Sequence, residues 1–264
     1  YYNYIKMEKE SYCLFAMAKM EEDYIVEWVN YHLDLGFSNI YLYDNENEAK
    51  YDNILSNELI KEKYEKVKVI HFPGAAKKGS MQNIVTFHFT INFSNQFDYI
   101  MHIDVDEFVN LKKHNSIQEF KNTYIKPNIS AIAMNWVFYG SNGHKNKSPE
   151  PVRERFTKCM KGVDKHIKLF IDRKKFVRYV GCHKIISIPN TYTIDTKGKI
   201  ITGLFNIDGD NSVCQINHYK VKSEEEFRRI VKRPRPDMPV GHPERFRDNF
   251  LEEFPKYDLN EIDG

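Results

Sequence analysis

The stretch Tyr99-Ile-Met-His-Ile-Asp-Val-Asp-Glu-Phe-Val109 decides the fold that this sequence predicts. Its first half is apolar or aromatic apart from one His, which is typical of a buried strand. It then breaks into three acids, Asp104, Asp106 and Glu107. Alternate side chains of a strand share a face, so Asp104 and Asp106 can point the same way beyond the strand end. Acids in such a place are costly unless a cation lies nearby, and paired oxygen ligands suit Mg²⁺ or Mn²⁺ and, with it, a diphosphate.

Strands and helices alternate along the chain around this stretch. The strand-helix-strand order with short connections predicts βαβ units and a mostly parallel sheet with right-handed crossovers. In open α/β sheets, ligands bind beyond the carboxyl ends of the strands, and polar residues cluster at those ends here. The predicted strands are 12–17, 39–43, 67–72, 99–104 and 129–139, and the predicted helices are 24–35, 53–64, 82–93 and 116–124.

The pattern changes near residue 140, where a long polar loop leads into shorter β-like segments at 167–171, 176–180, 184–188, 199–205 and 213–221. Ser223 and Glu226 then have the spacing of a helix capping box. We therefore predict one domain over residues 1–235, with a nucleotide-binding α/β half at about 12–139 and a mixed-β half at 140–235. A proline-punctuated extension follows over 236–264, with one short helix predicted around 244–252.

Composition excludes several classes of protein. The chain has 264 residues and a net charge of +2, which gives no reason to expect nucleic acid as a partner. No apolar run approaches the roughly 20 residues that span a bilayer. Because the chain begins at Tyr1 rather than Met, we expect a piece of a longer protein. We expect it in the cytoplasm or on the cytoplasmic face of a membrane, or in a secretory-pathway lumen if an N-terminal anchor has been removed.

Four cysteines are too few for a disulfide-built fold, so buried thiols are expected. One alternative stays open at this point. Cys182-His183 and Cys214 with His218 are four residues of the types that bind structural zinc, although two adjacent ligands chelate one ion awkwardly.

Motifs along residues 12–235 resemble GT-A glycosyltransferases, and within these glycosyltransferase family 92 and its bacterial relatives in the family 2-like group. The resemblance implies a GT-A fold and an inverting, Mn²⁺- or Mg²⁺-dependent transfer of a sugar from a nucleotide-sugar, expected to be a UDP-sugar, to a hydroxyl of a glycan or glycolipid. The matching motifs are Glu27-Trp28, Tyr31-His32, Leu35-Gly36, Ile40 to Asn45, Gln82-Asn83, Ile103 to Phe108, Trp136, Gly140 to His144, Glu154-Arg155-Phe156, His183, Asn217-His218-Tyr219, Lys222-Ser223 and Glu226-Phe227.

Candidate site residues follow from the strand ends and from this resemblance. A cation that bridges two phosphates stabilises a leaving nucleoside diphosphate, and the candidate ligands are Asp104, Asp106 and, by resemblance, His218. The candidate donor contacts are Lys19, Asp44, Lys78, Gln82, Asn83, Asp104 and Lys222. A general base is also required for the acceptor hydroxyl. Glu154 is the first candidate base and Glu150 the second, with Trp136, His144 and His183 as candidate acceptor contacts.

Simpler explanations stand beside these roles. Asp44 could merely start a helix, lysines in turns are usually solvated, and a lone histidine often has only a structural role. The basic run over 228–235 could close over the diphosphate, contact anionic lipid, or be a solvated helix face. A metal-dependent hydrolase of the haloacid type also has an Asp-x-Asp, although there it usually lies near the chain start. A non-catalytic carbohydrate-binding or scaffold module with a GT-A-like fold is the remaining alternative.

Overall fold

The computed structural model describes residues 9–246 and 249–264. Residues 1–8 of the predicted domain, and 247–248 within the predicted helix 244–252, lie outside the described residues. The strands are β1 (Tyr12–Ala18), β2 (Asn39–Asp44), β3 (Val67–His71), β4 (Tyr99–His102), β5 (Glu107–Leu111), β6 (Ile129–Phe138), β7 (Lys158–Cys159), β8 (Ile167–Asp172), β9 (Phe176–Tyr179), β10 (Ile185–Ser187), β11 (Tyr192–Ile194), β12 (Cys214–His218) and β13 (Ile262–Asp263). The helices are α1 (Ile25–Asp34), α2 (Tyr51–Glu58), α3 (Lys61–Tyr64), α4 (Met81–Asn92), α5 (Ile117–Tyr124), α6 (Val152–Arg155), α7 (Glu224–Val231) and α8 (Phe250–Tyr257).

Nine of these strands form one sheet, in the order β3-β2-β1-β4-β8-β6-β12-β5 with β11 beside β6. Strands β3, β2, β1 and β4 pair in parallel, whereas β8 is antiparallel to both β4 and β6. Since two antiparallel steps restore the direction, β6 and its parallel neighbour β12 run the same way as β1 to β4. The predicted α/β fold with a mostly parallel sheet is confirmed. The carboxyl ends of these strands consequently meet at one edge.

Both faces of the sheet are covered, which is why β1 is buried along its whole length. On one face, Leu14 and Ala16 belong to a large core that includes side chains of α1, α2 and α5. On the other face, Cys13, Phe15 and Met17 pack with side chains of α4 and β9. The Phe15 and Phe89 rings stack with centroids 3.9 Å apart, which fixes α4 against the sheet.

Several predicted elements are wrong in detail. The predicted helix 53–64 is interrupted at Leu59, whose backbone is extended. Residues 199–205 form no named strand, because Ile200, Leu204 and Phe205 are exposed and bury no common face. In the predicted helix 244–252, helix α8 starts only at Phe250, after a short 3-10 turn at 243–245.

The segment after residue 235 packs closely against the rest of the domain. Strand β13 pairs with β7, and Phe250 and Phe254 of α8 pack on Phe227 of α7. The Met81 N–H donates to the Pro236 carbonyl, which ties this segment to the start of α4. Among the residues that the structure describes, no helix is long and apolar enough to cross a membrane.

Candidate active site

A cleft of about 600 Å³ lies at the edge where the parallel strands end. The fold explains this position, because side chains that follow β1, β4, β6 and β12 all reach the same edge. The structure brings together in its lining these residues singled out from the sequence: Lys19, Gln82, Asp104, Asp106, Trp136, His183 and His218.

Asp104 is held by a buried cation. Lys168 lies on β8, the antiparallel strand beside β4, and its Nζ is 2.9 Å from Asp104 Oδ2 and 3.2 Å from Glu107 Oε2. The other oxygen of Asp104 accepts a hydrogen bond of 2.9 Å from Gln82 Nε2. Burial opposes ionisation of Asp104, but Lys168 holds its pKa below the usual value. Burial raises the pKa of Glu107, which leaves Asp104 as the ionised partner of Lys168.

Asp106 faces His218 from the end of a neighbouring strand. Antiparallel pairing of β12 with β5 sets His218 opposite Glu107, and His218 Nε2 lies 3.5 Å from Asp106 Oδ2. Burial opposes ionisation of Asp106, but His218 and the positive charges of Lys222 and Arg233 hold its pKa below the usual value. Burial lowers the pKa of His218, so its imidazole is neutral near pH 7 and can act as a ligand.

The Asp106 and His218 side chains are of the types that bind divalent cations. Mg²⁺ is usually bound by one or two carboxylates together with substrate phosphates and waters, rather than by a cage of protein ligands. Within residues 9–246 and 249–264, no group of three or more His, Cys, Asp or Glu side chains is arranged to hold a metal. The neutral imidazole of His218 has a buried Nδ1 without a hydrogen-bond partner, and Asp104 is already neutralised by Lys168. Asp106 and His218 are therefore better suited to a metal than Asp104.

Asp44 lies outside the cleft lining, contrary to the donor contact suggested for it. Its carboxylate is fully buried and accepts hydrogen bonds from the backbone N–H groups of Glu46, Lys50 and Tyr51, at 3.0, 2.8 and 3.2 Å. Both oxygens are thus used to shape the turn into α2. The adjacent Asn45 reaches the cleft instead.

The other suggested donor residues lie at different depths. Lys78 and Asn83 are exposed and do not line the cleft. Lys222 is buried behind Asp106, with a positive φ of 58° and its Nζ 4.3 Å from the centroid of the Tyr24 ring. Lys222 accordingly acts on the cleft through its charge rather than by lining it.

The suggested bases Glu154 and Glu150 are exposed on the surface and are absent from the cleft lining, as is His144. The 150–156 segment is held by its two arginines rather than by its acids, and Arg153 pairs with Glu27. Arg155 makes a two-pronged salt bridge to Glu226 of α7, at 2.9 and 3.0 Å. Glu154 is therefore not among the residues that line the cleft, where a base for the acceptor would have to lie.

The residues just before β8 form another wall of the cleft, which was not predicted from the sequence. Because β8 is antiparallel, its amino end meets the carboxyl ends of β4 and β6, and the preceding residues Asp164, Lys165 and His166 line the cleft. His166 stacks on Trp136 with ring centroids 4.6 Å apart, and His183 meets the same indole at 5.4 Å. These rings form an aromatic wall of the cleft.

The far wall of the cleft is basic and comes from the C-terminal part of the chain. Arg233 donates to Glu21 Oε1 at 2.7 Å and to the Lys19 carbonyl, so it is tied to the turn between β1 and α1. Arg229 and Arg235 of the same basic run are paired with acids. Lys256 also lines the cleft.

Lys168, which also lines the cleft, was not singled out as a site residue, although the sequence contains a signal for it. Lys168 is the lone cation in the apolar segment Ile167 to Ile171, and a charge in such a strand needs a buried partner. The zinc alternative is wrong, since the four suggested ligands form no metal-binding group in the part of the chain that is described.

Comparison with known proteins gives the family. The model of glycosyltransferase family 92 matches residues 10–256, which includes most of the C-terminal segment. A family 92 protein of Oryza sativa subsp. japonica is 20% identical over 229 residues, or 86% of this chain. One of Ricinus communis is 21% identical over 219 residues, or 82% of this chain. The chain covers 36% of the length of each of these relatives.

Solved structures are more distant. The mannosyltransferase Ktr4p from S. cerevisiae matches with 9% identity and a TM-score of 0.33, over 50% of this chain and 41% of that chain. The bifunctional glycosyltransferase WbbM matches with 14% identity and a TM-score of 0.30, over 49% of this chain and 24% of that one. These similarities are too low to support an inference about activity. The family match, which extends over nearly the whole sequence, is decisive, and the chain belongs to glycosyltransferase family 92.

Proposed function

We propose that this domain is an inverting glycosyltransferase that moves a sugar from a UDP-sugar to a hydroxyl of a glycan or glycolipid, with Mn²⁺ or Mg²⁺. The observation that carries the proposal is the pairing of Asp106 with His218 in a cleft whose far wall is cationic. Family membership supports sugar transfer as the reaction, and uridine is proposed from the resemblance alone.

In this proposal the diphosphate lies between the acidic and the basic sides of the cleft. Asp106 and His218 would hold the metal, which supplies charge stabilisation to the leaving diphosphate. Arg233 and Lys256 contribute fixed positive charge near the same phosphates. Gln82 orients Asp104 through the hydrogen bond between them, so that Asp104 can accept from a sugar or ribose hydroxyl.

The reaction is a single displacement at the anomeric carbon. The acceptor oxygen forms a bond to that carbon, while the bond to the diphosphate oxygen breaks and its electron pair leaves with UDP. The acceptor proton passes to a base of the protein. The cleft walls position the two reactants, and positioning of this kind is worth several kcal/mol of barrier, on the order of 7–11 for ideal alignment.

The test combines binding and turnover. UDP with Mn²⁺ should raise the melting temperature, because a ligand that binds the native state stabilises it. UDP should also be released from at least one of UDP-glucose, UDP-galactose and UDP-N-acetylglucosamine. Asp106→Asn should abolish both the Mn²⁺-dependent part of the shift and UDP release, as should EDTA on the wild type.

Other outcomes change the proposal in defined ways. Full UDP release in EDTA would remove the metal from the mechanism. Stabilisation by GDP or CDP without stabilisation by UDP would replace the donor class. Binding of UDP without any release from the panel, or transfer to added glycans, would favour a binding module.

A further inference from the structure

We propose that His166 is the general base that accepts the proton of the acceptor hydroxyl, and that Asp164 positions it. This assignment rests on the proposed sugar transfer. It replaces the surface residue Glu154, which the cleft lining does not include. His166 and Asp164 both line the cleft and are both partly exposed, with 31% and 25% of their side chains accessible.

The geometry of the pair determines which ring nitrogen is available. His166 Nδ1 lies 2.5 Å from Asp164 Oδ1, and the same oxygen accepts from the His166 backbone N–H at 2.9 Å. A carboxylate in this position accepts a hydrogen bond from Nδ1–H. The proton therefore stays on Nδ1, and Nε2 carries the lone pair. It also stabilises the imidazolium that forms when Nε2 takes a proton, as in other carboxylate-histidine pairs.

The pair is held rigidly beside the Trp136 indole. Two backbone hydrogen bonds hold it there. The backbone N–H of Asp164 donates to the Trp136 carbonyl at 2.8 Å, and the backbone N–H of Trp136 donates to the His166 carbonyl at 3.0 Å. Asn135 Nδ2 donates to the Asp164 carbonyl at 2.8 Å. The His166 ring lies between Trp136 and the edge of Phe205, whose centroid is 4.9 Å away. A base must be fixed relative to the reacting atoms, and these contacts fix His166 on one side of the aromatic wall.

The position of the pair suits an in-line displacement. Strand β6, which carries Trp136, lies between β8 and β12 in the sheet. His166 precedes β8 and His218 ends β12, so the two histidines flank Trp136 at centroid distances of 4.6 and 4.5 Å. A sugar against this indole has the proposed diphosphate site on the His218 side. The attacking hydroxyl then approaches from the His166 side, as inversion requires.

Other candidate bases in the cleft are less suitable. Glu21 is ion-paired with Arg233, Asp237 with Arg235 and Asp104 with Lys168, so each of these carboxylates already holds a cation of the protein. His183 is mostly buried, and burial with the charge of Lys168 lowers its pKa to about 4. His166 is instead held at Nδ1 by the carboxylate of Asp164, which directs Nε2 to the acceptor proton.

In the proposed step, the acceptor oxygen attacks the anomeric carbon as the bond to the UDP oxygen breaks. UDP leaves with the electron pair, and the hydroxyl proton moves to His166 Nε2. The imidazolium later returns this proton to solvent. Water can take the place of the sugar hydroxyl, so hydrolysis of the UDP-sugar reports on the same base.

The test measures UDP release from the UDP-sugar panel with Mn²⁺ for four variants, three of them in the Asp164–His166 pair and one control. His166→Ala should lower the rate at least about a hundredfold, within the roughly 10²–10⁴-fold contribution of a general base. UDP affinity should be unchanged, since the diphosphate is held elsewhere. Added imidazole should restore at least about a tenth of the wild-type rate to His166→Ala, with no acceleration of the wild type. Asp164→Asn should lower the rate without rescue by imidazole. His71→Ala, an exposed histidine outside the cleft, is the matched control and should behave like wild type.

The outcomes separate this inference from the proposed function. No UDP binding and no UDP release by the wild type would overturn the proposed function itself. An active wild type with His166→Ala within a few-fold of its rate would overturn the base assignment alone. A slow His166→Ala that imidazole does not rescue, with a lowered melting temperature or weakened UDP affinity, would assign His166 a structural role. His166→Gln keeps more of the ring's packing than Ala. It should be equally slow if His166 is the base. A His166→Gln rate near that of wild type would overturn the base assignment.

Discussion

Replacing Lys168 by Met tests the charge balance of the acidic end of the cleft. Lys168 is fully buried, and its Nζ lies 2.9 Å from Asp104 Oδ2. Met fills a similar volume but leaves Asp104 without its cation. Breaking a buried ion pair from one side costs about 3–5 kcal/mol. For a domain of this size, each kcal/mol lowers the melting temperature by roughly 2–4 °C, so Lys168→Met should lose about 6–20 °C.

The pH dependence gives this prediction its specificity. Without Lys168, burial raises the pKa of Asp104 in the folded state above its unfolded value. The cost of burying the ionised carboxylate is therefore present above the folded-state pKa. This cost disappears as pH falls through that pKa. The stability gap between wild type and Lys168→Met should therefore narrow from pH 7 toward pH 4. The assay is denaturant unfolding at several pH values.

Lys174→Met is the matched control for this substitution. The Lys174 side chain is 83% exposed and lies 3.6 Å from Asp98, so its loss should cost at most about 1 kcal/mol at any pH. A Lys168→Met variant as stable as Lys174→Met, or a gap that stays constant with pH, would refute the buried charge pair.

Two further substitutions test residues outside the cleft lining. Burial opposes ionisation of Glu226, but the hydrogen bonds from Arg155 and Ser223 lower its pKa to about 2, so its stabilisation is present above about pH 4.5 and lost as pH falls toward 2. Glu226→Gln should cost about 3 kcal/mol at pH 7, and urea unfolding should show this cost shrinking in acid; a cost under about 1 kcal/mol would mean that the Arg155 pair contributes little. Glu154→Gln should keep UDP release within a few-fold of wild type, and a loss of a hundredfold would return the base to the 150–156 segment.

The sequence predicted the features that depend on local pattern. Alternating strands and helices indicated the parallel sheet, and Asp104 and Asp106 at a strand end indicated the cleft. The capping box of α7 also forms, since Ser223 accepts from the Glu226 N–H while the Glu226 side chain accepts from the Ser223 N–H. Each of these features can be predicted from the spacing of residues that lie a few positions apart in the sequence.

What the sequence did not predict depends on pairing between distant segments. The insertion of β8 between β4 and β6 is not visible in the spacing of its residues, yet it carries Lys168 and the preceding Asp164 and His166 into the cleft. The same limit explains the misplacement of Glu154. Its neighbour Arg155 binds Glu226, 71 positions away, and this contact holds the segment on the surface.

Helix α1 shows how residues of a predicted motif can act on the site without lining the cleft. Trp28 Nε1 donates to the Glu107 carbonyl at 2.8 Å, and the Tyr31 hydroxyl donates to the Val109 carbonyl at 2.7 Å. Burial lowers the pKa of His32 to about 3, so its neutral ring donates from Nδ1 to the Trp28 carbonyl and accepts the Val109 N–H at Nε2.

These three contacts fix β5 at the point where it leaves Asp106. Strand β5 in turn sets the register of β12, and that register brings His218 to the carboxylate of Asp106. The aromatic and histidine residues of α1 therefore act on the proposed metal site through the backbone of β5. Each of the three side chains satisfies a buried backbone group of β5 beside the site, which would otherwise lack a hydrogen bond.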